Sequence, residues 1–91
     1  MVDEPQQQEL LRFPMPWPIK VVGRHAEMQR TEIDAIVRLF APDLTDDQIA
    51  ERESNQKHFL SITYTINAQS KEQVVGLANA LKAATGVIML I

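Results

Sequence analysis

Apolar and polar residues along this chain follow two alternating periods, one near two and one near 3.6, and their order predicts the elements of a small α/β domain. "IKVVG", residues 19–23, is a β-branched run closed by glycine and predicts the first strand. Between Ala26 and Ala41 the apolar residues Ile33, Ile36, Val37 and Phe40 recur at helical spacing, with Glu32, Asp34 and Arg38 on the opposite side. Pro42 and Asp43 end that helix. "HFLSITYTINA", residues 58–68, alternates Leu60, Ile62, Tyr64 and Ile66 with Ser61, Thr63 and Thr65, the pattern of a half-buried strand. Ser70 with Gln73 is a capping box, and the stripe Val74, Leu77, Ala78 and Leu81 follows it. Gly86 stands where that second helix stops, and "VIMLI", residues 87–91, has the length of a final strand.

One segment, "TDDQIAERESNQ", admits two readings. Thr45 and Gln48 suit the start of a helix, whereas a strand at 48–54 would pair with the next one through a hairpin at Asn55 and Gln56. With the strand, the elements run β-α-β-β-α-β. That order predicts an α+β, ferredoxin-like split βαβ fold, with two helices on one face of a four-stranded antiparallel sheet.

Ahead of the first strand lies "RFPMPWP", where prolines 14, 16 and 18 hold Phe13, Met15 and Trp17 out of the helical region. The spacing is not P-x-x-P, so the segment is expected to be an extended arm by which the chain enters its fold. Leu10, Leu11, Phe13 and Trp17 are expected to pack along the domain. Residues 1–9 are polar and Gln-rich and predict a mobile tail, leaving 10–91 as a single domain.

Composition narrows the function classes. Ninety-one residues suffice for one two-layer core, and the absence of cysteine removes disulfides, thiolate nucleophiles and Cys-ligated zinc. "MVDEPQQQEL" is unlike a signal peptide, and no run approaches the length of a membrane span, so a soluble, cytoplasmic protein without membrane contact is expected. The net charge is −3, to which Asp3, Glu4 and Glu9 contribute. No basic stripe is visible, and nucleic acid is not an expected partner.

Several residues in ordered spacing carry a family resemblance: Leu10-Leu11, Phe13-Pro14, Lys20, Val21, Gly23, Arg52, Ser54, Phe59, Ser61, Ile66-Asn67-Ala68 and Met89. In this the chain resembles the YbeD-like family of small bacterial proteins, a domain of unknown function. The resemblance implies a ferredoxin-like sandwich similar to ACT regulatory domains, and it implies no catalytic residue. Relatives commonly carry a glycine in the loop after Ser54, where this chain has "NQKH"; Asn55 tolerates the left-handed conformation that such a hairpin needs.

Candidate chemistry is sparse. His25 and His58 show no metal-ligand spacing, and neither a metal nor a cofactor is expected. "VVGRH" falls at the first strand-to-helix turn, where Gly23, Arg24 and His25 form a candidate site for an anion or amino acid. Acylphosphatases begin their phosphate loop with a similar Gly-Arg, but this chain continues "HAEMQR" and lacks their second glycine. "KHFLSITY" is superficially similar to the third-strand signature of RNA-recognition motifs, yet Phe59 is followed two positions later by Ser61 rather than a second aromatic. The acidic residues Asp43, Asp46, Asp47, Glu51 and Glu53 suit a solvated loop and strand edge, with no pair set for acid-base work.

What remains is surface. If Ile19, Val21, Val87 and Met89 face the helices, the open face of the sheet carries Lys20, Val22, Phe59, Ser61, Thr63, Thr65, Ile88 and Leu90. Val22, Phe59, Ile88 and Leu90 are then the candidate protein-interaction residues. A non-enzymatic regulatory or interaction module is the expected function, binding a protein partner or a second copy through this face or the C-terminal edge strand. A small-ligand sensor at Gly23–His25 is the alternative.

Overall fold

A computed structural model of the chain describes residues 12–54 and 56–91. The tail expected at 1–9, the Leu10–Leu11 pair and the conformation of Asn55 lie outside the described residues. Six elements follow in order: β1 (Met15–Arg24), α1 (Arg30–Phe40), β2 (Ile49–Glu53), β3 (Phe59–Ala68), α2 (Lys71–Lys82) and β4 (Val87–Leu90). The sheet is antiparallel throughout, in the order β2-β3-β1-β4. This is the α+β, ferredoxin-like arrangement that the periods predict, with the parallel strands β1 and β2 separated by β3.

The proline arm is itself strand. β1 begins at Met15, and Pro16, Trp17 and Pro18 pair with Asn67, Ile66 and Thr65 of β3. A strand interior tolerates these prolines because backbone groups alternate sides. Lys20 exchanges both its backbone bonds with Ile91, so residues 16 and 18, two and four positions back, aim the same way, away from β3. Their missing N–H groups therefore fall on a stretch of β1 beyond the end of β4, where no ladder donor is needed. Phe13 stacks on Trp17 with ring centroids 6.2 Å apart, and both rings pack partly buried against the core. Trp17→Ala is accordingly expected to cost about 2 kcal/mol, below the range for a fully buried aromatic. Urea unfolding followed by circular dichroism measures it, and an unchanged midpoint would show that the arm contributes nothing.

Three other boundaries differ from expectation. α1 starts at Arg30 rather than Ala26, because residues 25–27 form a turn that lets Met28 bury its side chain beneath Gly23. The ambiguous segment takes the strand reading, shortened by one residue at each end. A 3-10 turn at Asp46–Gln48, closed by the Thr45 N–H donating to the Gln48 side chain at 2.8 Å, precedes β2, which begins at Ile49. α2 ends at Lys82 with Ala83 as its cap, leaving Gly86 to a later turn. Its start is as predicted: the Gln73 N–H donates to Ser70 Oγ at 3.1 Å.

The core lies between the helices and one sheet face. Ile33 and Val37 of α1 and Leu77 and Leu81 of α2 close over Val21, Ile62, Tyr64 and Ile66, all of them essentially inaccessible to water. Burial of each such aliphatic chain contributes about 1.5–3 kcal/mol. Phe40 lies against Gly76, where a Cβ would stand 3.0 Å from its ring, so the two helices meet closely there.

Candidate functional site

Strand alternation sorts the sheet into two faces. Opposite the helices, β1 presents Lys20, Val22 and Arg24, β3 presents Phe59, Ser61, Thr63 and Thr65, and β2 presents Ala50 and Arg52. Cross-strand pairing makes rows of these: Arg52, Ser61, Val22 and Met89 form one, and Phe59 stands opposite Arg24 in the next. Lys20, Val22, Arg52, Glu53, Ser54, Phe59, Leu60 and Ser61 line a shallow open hollow of about 440 Å³.

The expected assignment of β4 requires correction. Val22 pairs with Met89 but Gly23 pairs with Val87, so Ile88 is an extra residue in a β-bulge. The bulge shifts the alternation by one. Leu90, expected on the open face, stands opposite buried Val21 and packs against the core, while Met89, expected on the helix side, takes the open face beside Val22. Ile88 and Met89 are 47% and 50% exposed, Phe59 is 42% and Ile91 69% exposed, so the open face carries four large apolar side chains in contact with water.

The charged side chains that the strands turn to this face are of one sign, with Glu53 at the rim of the hollow and Glu27 beyond Phe59 at the strand-to-helix turn. Lys20, Arg24 and Arg52 all lie on this face, and none of its strand residues is acidic. Among the described residues these three cations form no ion pair. The carboxylates of β2 point the other way: Glu51 pairs with Arg30 of α1, and Glu53 meets the His25 ring at 2.5 Å. A chain of net charge −3 thus presents one cationic face with an apolar centre. Arg24 follows from extending the period-two pattern past Gly23, whereas Arg52 could be assigned only once the β2–β3 register was known.

The residues Gly23, Arg24 and His25 come together differently from a cradle for an anion. The Arg24 N–H donates to the Gly86 carbonyl and the His25 N–H to the His58 carbonyl, both at 2.9 Å, and the Glu27 and Met28 N–H groups both donate to the Arg24 carbonyl. These donors are committed within the chain, and the Glu53 carboxylate stands beside them. The helix N-terminus expected at this turn lies further on, at Arg30. His25 and His58 are neighbours through that backbone bond, and among the described residues no three ligand-type side chains gather around a metal-sized space.

On the helix side, one polar cluster escaped the sequence reading. Tyr64, fully inaccessible on β3, donates its hydroxyl to the Asp34 carboxylate, which also receives the Arg30 Nε at 2.9 Å. Arg30 in turn reaches Glu51 on β2. Asp34 is therefore not a residue of the solvated helix face but the link between α1 and the sheet. Burial first, then donation to Asp34, hold the Tyr64 phenol well above its ordinary ionisation range. The bond to Asp34, opposed by partial desolvation and aided by Glu51, raises Arg30 further above its already basic value.

Fold and surface together define a ferredoxin-like α+β module with a cationic, apolar-centred sheet face. Its particular family follows from comparison with known proteins. The family model described as "Protein of unknown function (DUF493)" matches residues 8–91, and the chain belongs to that family, in line with the YbeD-like resemblance. A UPF0250 protein of Nitrosomonas europaea is 33% identical over 85 residues, covering 93% of this chain and 98% of the relative. One from Chromobacterium violaceum is 36% identical over 69 residues, covering 76% of this chain and 78% of the relative. A third, from Hahella chejuensis, is 31% identical over the full length of both chains. No solved structure matches. Among the described residues no helix is long and apolar enough to cross a membrane.

Proposed function

We propose that this protein is a non-enzymatic, regulatory protein-interaction module that docks an acidic partner protein on the open face of its sheet. The observation that carries this is the surround of Phe59: exposed Ile88 and Met89 with Val22, and the cations Lys20, Arg24 and Arg52 outnumbering the one acidic strand residue at the rim, Glu53, which is held by His25. An apolar centre supplies affinity by leaving water, and unpaired cations at its rim select a partner of opposite charge. A protein surface fits better than a nucleic acid, since Phe59 is the one Phe, Tyr or Trp among the described strand residues of this face and the exposed side chains of β4 beside it are aliphatic rather than a second stacking platform. The rival reading, a small-ligand sensor at Gly23–His25, has less support because its backbone donors are already used.

Lys20→Glu combined with Arg52→Glu tests the proposal. Native-cell capture with the parent chain should retain a partner that is lost as salt rises from about 50 to about 300 mM, across the range in which surface charges are screened. The double variant should retain at least about tenfold less of it, as expected when rim charges oppose a partner. Leu39→Lys, on an 80% exposed helix position, is the control that should bind like the parent. An identical set of captured proteins for all three chains would refute the reading. Capture that nuclease treatment abolishes would assign the face to nucleic acid instead.

A further inference from the structure

The sheet has four stretches of free edge among the described residues, and they are not alike. The end of β3 beyond Tyr64 lies beside Asp43 and Gln48 of the preceding loop. β2 carries Glu51, Arg52 and Glu53 and is preceded by Asp46 and Asp47, so charge blunts it. The free half of β1 carries Pro16 and Pro18, whose missing donors face outward there. β4, "VIML" followed by Ile91, has no charged side chain and no proline. Ile91 exchanges both backbone bonds with Lys20, so the N–H and C=O of Leu90, one residue away, point outward from the sheet. Ile91 shares the open face with Met89 and is 69% exposed. The bulge at Ile88 does not hide this edge; it brings Ile88 and Met89 to the same exposed face and leaves residues 89–91 in regular register.

We infer that β4 is a self-association edge whose occupant is a second copy of this chain, paired antiparallel about Leu90. This goes beyond the open-face reading and stands without it. A strand of apolar side chains is complementary to itself, because a two-fold axis at Leu90 sets its outward N–H and C=O against those of the other copy. Met89 of each copy then lies opposite Ile91 of the other, in the closely spaced pairing that places aliphatic side chains in contact. Charge distinguishes this arrangement from stacking face on face. Stacking would press Lys20, Arg24 and Arg52 against their own copies, whereas edge pairing separates the two β1 strands by three strand spacings, about 14 Å, beyond the screening length at physiological salt. The axis is perpendicular to the sheet, so both open faces end on the same side of an eight-stranded sheet. A contact of this size lies at the small, reversible end of protein interfaces.

Sedimentation of the full chain from about 10 to about 500 µM should show a monomer–dimer equilibrium, the behaviour of a small interface. Met89→Lys and Ile88→Lys should each raise the dissociation constant by about tenfold or more, since edge lysines oppose strand pairing. The chain has no cysteine, so single thiols report geometry without background. Met89→Cys mixed with Ile91→Cys should oxidise to the mixed disulfide in preference to either like pair, because a non-hydrogen-bonded antiparallel pair matches disulfide spacing. A chain that stays monomeric throughout the range would overturn the inference. So would Phe59→Cys cross-linking to itself faster than the mixed pair, which would place face against face, or lysine variants that associate as the parent does.

Discussion

Gly86→Ala should cost about 3 kcal/mol or more, a large part of what holds a domain of this size together. Two causes act at one position. Gly86 has φ +84°, which penalises any side chain, and a Cβ there would stand 2.5 Å from the Met28 N and 2.8 Å from the Glu27 carbonyl carbon. Those are backbone atoms of the turn that ties β1 to α1, and that turn is anchored in return by the Arg24 N–H on the Gly86 carbonyl. The neighbouring Gly23→Ala places its Cβ 2.6 Å from that carbonyl oxygen and against the Met28 sulfur. Shortening Met28 to alanine should therefore recover part of the Gly23→Ala loss and none of the Gly86→Ala loss, where the obstruction is main chain. Denaturant midpoints of the four chains decide this. A Gly86→Ala protein as stable as its parent would show that the 83–86 turn moves aside freely.

Alkaline pH should destabilise the parent through a single phenol. Tyr64 is the one tyrosine of the chain, and the fold keeps it protonated above its ordinary value near 10. Unfolding releases that constraint, so above pH 10 the unfolded chain loses a proton that the folded chain retains. The contribution is complete below pH 10 and declines as pH rises above it, by about 1.4 kcal/mol per pH unit. Tyr64→Phe should remove this slope while costing about 1–2 kcal/mol at neutral pH, where Asp34 loses a donor but keeps Arg30. Urea unfolding of both chains from pH 8 to pH 11.5 isolates the difference from other groups titrating in common. Tyrosinate absorbance reports the same event directly, and ionisation near pH 10 in the folded chain would contradict it.

Much of the fold was legible because its elements are locally patterned. Ile62, Tyr64 and Ile66 alternate within β3, and Leu77 and Leu81 recur along α2, so their burial follows from spacing within one element. The candidate surface was legible in part: Lys20, Val22 and Phe59 fall on the open face as alternation requires. Leu90 and Met89 were exchanged because the bulge at Ile88 depends on how β4 meets Gly23 of β1, and Gly23 in turn sits over Met28. No window of sequence around β4 contains that information.

The sequence by itself determined the order of the elements apart from the open choice before β3, the face that β1, β3 and the two helices bury, and the lack of any thiol. Those properties reside in hydrophobic periods and residue types that act within a few turns of chain. Tertiary structure alone decided which strand is a protected edge, where Pro16 and Pro18 turn their missing donors, and that Lys20, Arg24 and Arg52 share one face. It also joined Tyr64, Asp34, Arg30 and Glu51 across three elements. The reason is that pairing register and edge position are relations between segments far apart in the chain, fixed by the packing of the whole domain rather than by the preference of any one segment.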